Sequence, residues 1–297
     1  MKTSNHLLRR LTAALLAAVL ALSIALPVFA SDDGDTIYIN SVSDLLSLAR
    51  NCAYDQWSVG KTVILQKDLS LEGMLWEPIP SFSGQFKGNG HTISDLTITG
   101  QYSPAGLFGI VEEQGSIESL SVRGVVSVSD SADTTTGGIV GINHGTLISC
   151  QFTGVVTGDS EVGGIVGRNE SEGTIDHSTA RAIVTGKSST GGIAGYNLGA
   201  ITGCTNVGSI NTEYPEASLD TDGFTAKMVD YINNKMAAAD DDATNSVTNV
   251  ATDTGGIAGR SSGMILTSVN TGTIGYEHVG YNVGGIVGRT DGLVSGC

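Results

Sequence analysis

The chain has 297 residues, 30 acidic against 15 basic, for a formal net charge of −15. That balance repels nucleic acid and anionic membrane surfaces and excludes both as partners. Its 41 glycines and 5% aromatic residues point to turns and short strands rather than packed helices.

The first 30 residues read as a secretory signal. Lys2, Arg9 and Arg10 form a basic start, residues 11–26 are apolar except Thr12 and Ser23, and small residues precede polar Ser31. Cleavage after Ala30 removes three basic and no acidic residues, leaving a mature charge of −18 and no membrane-spanning segment. Residues 31–60 form an N-terminal cap. Ile37 to Ile39 reads as a strand, and Ser43 caps a helix over 44–51 with Leu45, Leu46 and Leu48 on its apolar side. Residues 62–65 and 69–71 begin a sheet.

From there a repeat takes over. Gly137, Gly138 and Gly141 precede Asn143 and Cys150; Gly163, Gly164 and Gly167 precede Asn169 and Ser178; Gly191, Gly192 and Gly195 precede Asn197 and Cys204. Gly255, Gly256 and Gly259 precede Ser261 and Ser268; Gly284, Gly285 and Gly288 precede Thr290 and Cys297. Weaker copies run through Gly106 and Gly109, and through Gly88 and Gly90. The starts lie 26, 28, 64 and 29 residues apart, so the long gap holds one ordinary repeat plus about 36 more residues. Such a period marks a solenoid. Short β-rich runs broken by glycine make it a right-handed parallel β-helix over residues 61–297, all-β, with three strands per coil. Glycines supply positive φ and close approach at the bends. Ile139, Ile165, Ile193, Ile257 and Ile286 form an inward column, and Asn143, Asn169 and Asn197 a side-chain ladder. An insert at about 211–250 carries Phe224, Met228, Tyr231, Ile232 and Met236 at helical spacing, which predicts a helix over 224–238 against the solenoid's side. Asp220, Asp222 and Gly223 resemble the centre of a calcium loop, but the first and twelfth ligands are missing, so Asp222 reads as a helix cap. The sequence stops part-way through a coil, which would leave an open sheet edge; the repeat is expected to continue past residue 297.

Four cysteines in an exported chain invite disulfides. The register argues against them. Cys150, Cys204 and Cys297 share one slot in alternate coils, with Ser178 and Ser268 between, too far apart to bridge. They are expected to be free, buried and stacked thiols, and Cys52 to stand alone in the cap.

The run from Gly137 through Asn143, Gly145 and Leu147 to Cys150 resembles the GLUG repeat family of bacterial surface proteins. Trp76 to Pro80, and Phe82 to Ile93, are similar to the coil that leads into such repeats. The resemblance covers residues 62–297 apart from the insert and implies adhesin-like proteins, or IgA-cleaving metallopeptidases whose chemistry lies in another domain. Ser261 and Thr290 depart from the pattern at the Asn position.

No chemistry stands out. There is no His-Glu-x-x-His, Cys-x-x-Cys or nucleophile elbow, and His144 and His177 read as solvated. Acidic residues precede the glycine pairs: Asp130 and Asp133, Asp159 and Glu161, then Asp253 and Glu277. β-helix enzymes use such faces to hold Ca²⁺ or to act as acid and base. Here Lys187, Ser188 and Ser189 break the line, leaving Asp130, Asp133, Asp159 and Glu161 as weak Ca²⁺ candidates. No basic residue is expected reliably beside them. Two readings remain: a secreted or cell-surface stalk that displays corner loops to an extracellular glycan or protein, without cofactor or catalysis; or the non-catalytic front of a surface peptidase or a polysaccharide-cleaving enzyme.

Overall fold

A computed structural model describes residues 35–54, 56–128, 134–212, 253–275 and 282–297. The signal region, Asp130, Asp133, Glu277 and the expected helix at 224–238 lie outside the described residues.

The body is a parallel β-solenoid of about seven coils. One coil shows how the sequence makes it: strands Glu161–Gly163, Val166–Asn169, Thr174–Asp176 and Thr179–Thr185 follow one another and define faces I to IV. Stacked coils give a five-stranded sheet on face I, seven strands on face II and nine on face III. The described strand pairings are parallel, with one register shift, between Ile93 and Leu96 on face IV, and equivalent positions stack: Val140 on Val166 on Ala194 on Ala258 on Val287. A coil thus has four strand positions, not three, because the second glycine and the following Ile turn the chain between faces I and II. Thr205–Asn206 and Ser209–Ile210 replace the single long face-IV strand of earlier coils. Across the insert, Cys204 donates to Ser268, 64 residues on, so the next described coil continues the same register.

Inward positions carry the core. Ile139, Ile165, Ile193 and Ile257 are wholly buried, and Ile286 in the last coil is half-buried against them. Each such side chain contributes about 1.5–3 kcal/mol by leaving water. Phe82, Phe86 and Phe108 form an edge-to-face cluster, with centroids 5.3–6.3 Å apart, in the first coils. Trp76 is buried beside them and donates its indole N–H to Leu107 O at 3.1 Å.

The cap forms with a shifted start. Strand Thr36–Ile39 pairs with Thr62–Leu65, and helix α1 spans Val42–Asn51. Its N-cap is Ser41, not Ser43. Ser41 Oγ accepts Asp44 N–H at 3.2 Å while Asp44 Oδ2 accepts Asn40 N–H at 2.9 Å, and Ser43 lies inside the helix. The carboxylate three residues after Ser41 decides between two serines of equal cap propensity. Leu45 and Leu48 are buried, and Leu46 packs at the margin.

Candidate functional site

The repeated residues meet at the corners. A β-carbon on Gly163 would stand 2.0 Å from Val166 O and 2.8 Å from Ala194 Cα, and one on Gly164 would stand 2.2 Å from Gly192 O. Apart from Gly285, the glycines of the Gly-Gly-x-x-Gly run therefore serve close approach; none has positive φ. The left-handed position lies elsewhere, one residue before the Cys/Ser slot. It is occupied by Ser119, Ser149, His177, Gly203, Thr267 and Gly296, with φ between 46° and 68°. Ser, His and Thr there carry a cost of about 1–2 kcal/mol each relative to glycine, offset by corner hydrogen bonds such as Thr267 N–H to Ser295 O at 2.9 Å.

Asn143 Nδ2 donates to Asn169 Oδ1 at 2.8 Å, Asn169 Nδ2 to Asn197 Oδ1 at 2.8 Å, and Asn197 Nδ2 to Ser261 Oγ at 3.1 Å. All four are wholly buried. Asn143 also closes its own corner, donating to Gly145 O and accepting Gly145 N–H. The sequence reading missed a second ladder on face IV: Asn206 Nδ2 donates to Asn270 Oδ1 at 2.8 Å, and Asn206 Oδ1 accepts Gly208 N–H. The same Asn-x-Gly spacing, at 206–208 and 270–272, was the signal for it.

The Cys/Ser slot is a third ladder. Cys150 N–H donates to Ser178 Oγ at 3.1 Å, Ser178 N–H to Cys204 Sγ at 3.5 Å, and Cys204 N–H to Ser268 Oγ at 3.2 Å. Each side chain donates in turn to a carbonyl two residues back. Sulfur and oxygen thus satisfy a buried backbone N–H on the preceding coil. Cys52, Cys150, Cys204 and Cys297 are all free thiols. Cys297 is exposed rather than buried, because burial at this slot comes from the coil stacked next to it.

The carboxylates near the glycine pair have basic partners, contrary to the expectation from the sequence. Asp159 lies 2.7 Å from Lys187 Nζ, and Glu161 lies 2.8 Å from Arg168 Nη1 while accepting from Thr135 Oγ1. Arg168 also donates to Glu170 at 2.6 Å and lies over the Tyr196 ring, whose other neighbour is Arg260. The register brings these three side chains into one column of face II. Asp253 accepts from Asn282 at 2.7 Å. Among the described residues, no group of three or more His, Cys, Asp or Glu is placed to hold a metal. Of the two corner histidines, His177 is exposed and paired with Asp176 at 2.8 Å.

A family model described as the GLUG motif matches residues 158–185. The chain carries a GLUG repeat. The match spans one complete coil, from the turn before face I to the end of face IV. The chain is also similar to halomucin of Haloquadratum walsbyi, at 30% identity over 155 residues, covering 48% of this chain and 2% of halomucin. A protein described as a candidate Gly-rich membrane protein of Evansella cellulosilytica is 29% identical over 137 residues, covering 33% of this chain and 16% of that protein. The chain thus spans only a small part of these relatives. A crystal structure of a candidate immunoglobulin A1 protease from Bacteroides ovatus shares the fold, with a TM-score of 0.59 and 18% identity over 88% of this chain and 74% of that one. Among the described residues no helix is long and apolar enough to cross a membrane.

The GLUG thiol ladder gives two testable outcomes. A thiol reagent should leave Cys52, Cys150 and Cys204 unreacted in the native protein and find four groups after denaturation without reductant. A count below four in the denatured chain would mean a disulfide and a different register. Burial also pushes Cys150 and Cys204 up to about 12 and Cys52 up to about 11, from an ordinary 9.0. A raised thiol favours the folded state while protonated. Its contribution is complete below pH 9, where the unfolded thiol begins to ionise, and is lost as pH rises towards 12. Each thiol costs about 1.4 kcal/mol per pH unit in that window. Urea midpoints should therefore fall between pH 9 and 11, and Cys150→Ser should flatten the fall; an unchanged slope would contradict buried, protonated thiols.

Proposed function

We propose that the chain is an exported, surface-associated GLUG solenoid that acts as an adhesin-like display module, presenting non-repeating corner residues to an extracellular glycan or protein. The observation that carries this reading is how the repeated groups are used. The glycines, the Asn and Cys/Ser slots, and the charges of Asp159, Glu161, Lys187 and Arg168 are engaged by the same or the neighbouring coil. The repeat thus builds a hydrogen-bonded rod and leaves recognition to the residues that vary between corners. The signal-like first 30 residues, the acidic mature charge and the similarity to a candidate membrane protein support placement outside the cell.

The test pairs binding with turnover. The purified chain is applied to arrays of glycans and extracellular proteins, and released sugars and peptides are measured in the same samples. Saturable retention without cleavage is expected; turnover of any substrate would refute the display reading. The fold shared with the candidate immunoglobulin A1 protease supplies a specific challenge: intact immunoglobulin A should stay uncut in the presence of this chain. N-terminal sequencing of exported protein should begin at Ser31, and an intact Met1 would contradict export by cleavage. Chelation should leave the melting temperature unchanged, since Asp159 and Glu161 are already paired with cations of the chain; a fall on chelation would revive a calcium site.

A further inference from the structure

We propose that the corner between faces II and III of the first coils is a binding site for an uncharged saccharide unit, an inference that rests on the display reading above and specifies its ligand. Register builds the site. Phe82, Val111 and Asn143 are stacked partners on face II, so the residues that follow them, Ser83, Glu112 and His144, occupy one slot on three successive coils. Neighbouring rungs lie ~4.8 Å apart, which spreads these three groups along roughly 10 Å, the length of one to two sugar rings. The next residues in register, just before face III, are Gly84, Gly115 and Gly145. A β-carbon at Gly145 would meet Gly115 O at 2.1 Å, so these glycines let neighbouring coils pack closely beneath the corner.

Two irregularities turn this corner into a cavity of about 530 Å³. Glu113 and Gln114 are two extra residues between Glu112 and Gly115, closed by Gly115 N–H to Glu112 O at 2.8 Å, and they raise one wall. The cap turn contributes Gln56 to the wall opposite. That volume lies within the ~300–1,000 Å³ range of small-molecule sites.

The lining chemistry selects the ligand. Ser83 lines the cavity and is 9% exposed, and its N–H donates to Ser58 Oγ at 2.9 Å. A hydroxyl on the wall of a cavity can both donate to and accept from a ligand. Glu112 Oε1 accepts from Ser81 Oγ at 2.7 Å, which fixes the carboxylate and leaves Oε2 to accept from a ligand. His144 and Gln114 add groups that both donate and accept. Carboxylates, amide, imidazole and hydroxyl together match vicinal hydroxyls. Two carboxylates, with no lysine or arginine among the described residues lining the cavity, repel uronates, sulfates and sialates.

The test applies the full chain to neutral gluco-, galacto- and manno-oligosaccharides, with oligogalacturonate, a lysine-containing peptide and CaCl₂ alone as separate arms. At least one neutral oligosaccharide should bind saturably and shift the His144 ring signals. Glu112→Gln should weaken that binding ~10–100-fold, because it removes a charge-assisted hydrogen bond, and Ser83→Ala ~2–10-fold, because it removes a neutral one. Both variants keep side-chain volume and should melt like the parent. Neutral binding that neither variant weakens overturns this site but leaves the display reading standing. Retention of the acidic oligosaccharide, the peptide or calcium alone also overturns it, as does retention of no neutral sugar. Cleavage of the sugar would sink the display reading instead.

Discussion

Gly163→Ala is expected to prevent folding or to cost more than about 4 kcal/mol, a loss seen only when a specific packing feature is destroyed. The new methyl would stand 2.0 Å from Val166 O in its own coil and 2.8 Å from Gly195 N in the next. Both obstacles are backbone, and both are fixed by parallel ladders, so no flexible side chain can yield. Gly285→Ala supplies the control. It occupies the second-glycine position of the last described coil, where a β-carbon meets nothing within 4 Å. That variant should stay within about 0.5 kcal/mol of the parent. Urea midpoints and soluble yields of the two proteins measure the contrast; equal losses would mean that the glycines act through chain flexibility and not through coil stacking.

Asn169→Ala is expected to cost about 3–5 kcal/mol. Asn169 is the middle rung of the buried ladder, accepting from Asn143 and donating to Asn197 Oδ1 and to Gly173 O. Alanine would remove three buried hydrogen bonds, each worth roughly 0.5–1.5 kcal/mol net, and take from Asn197 Oδ1 its donor at roughly 1–3 kcal/mol more; Asn143 Nδ2 keeps Gly145 O, and Gly173 O keeps the Ala200 N–H. Asn169→Ser should recover part of the loss, because Ser261 already accepts from Asn197 at the same slot two coils on. The measurement is again the urea midpoint. A serine variant no better than alanine would indicate that the amide's volume, and not its hydrogen bonds, matters at this position.

These two sites also show what the sequence made legible. The 26- to 29-residue period exposed the inward Ile column and the Asn and Cys/Ser slots, because a solenoid places equivalent positions on top of one another. It hid features that depend on backbone angle. The fourth strand was invisible because Gly164 and Ile165 turn the chain inside what reads as one β run. The left-handed column was invisible because Ser149, His177 and Thr267 hold it without glycine. The exposure of Cys297 could not be read from a slot that is buried in every earlier coil. The Arg168–Tyr196–Arg260 stack required knowing that the coil after the insert resumes in register. The corner cavity was masked by the two-residue step at Glu113 and Gln114, which separates Ser83, Glu112 and His144 from an obvious alignment. His144, read from the sequence as solvated, lines that cavity.

The register across the insert is the point on which the ladders and the rod reading all depend, and pulsed electron spin resonance tests it most directly. Thr92, Ser121, Gln151, Thr179, Thr205 and Val269 are successive partners along face IV. A spin label at Thr92 paired with one at Thr205 spans four rungs, ~19 Å, and paired with one at Val269 spans five, ~24 Å. Thr205 and Val269 are 64 residues apart in the chain, yet the second distance should exceed the first by only about 5 Å, with both distributions narrow. A step of 10 Å or more, or a broad second distribution, would contradict a solenoid that runs unbroken past the insert.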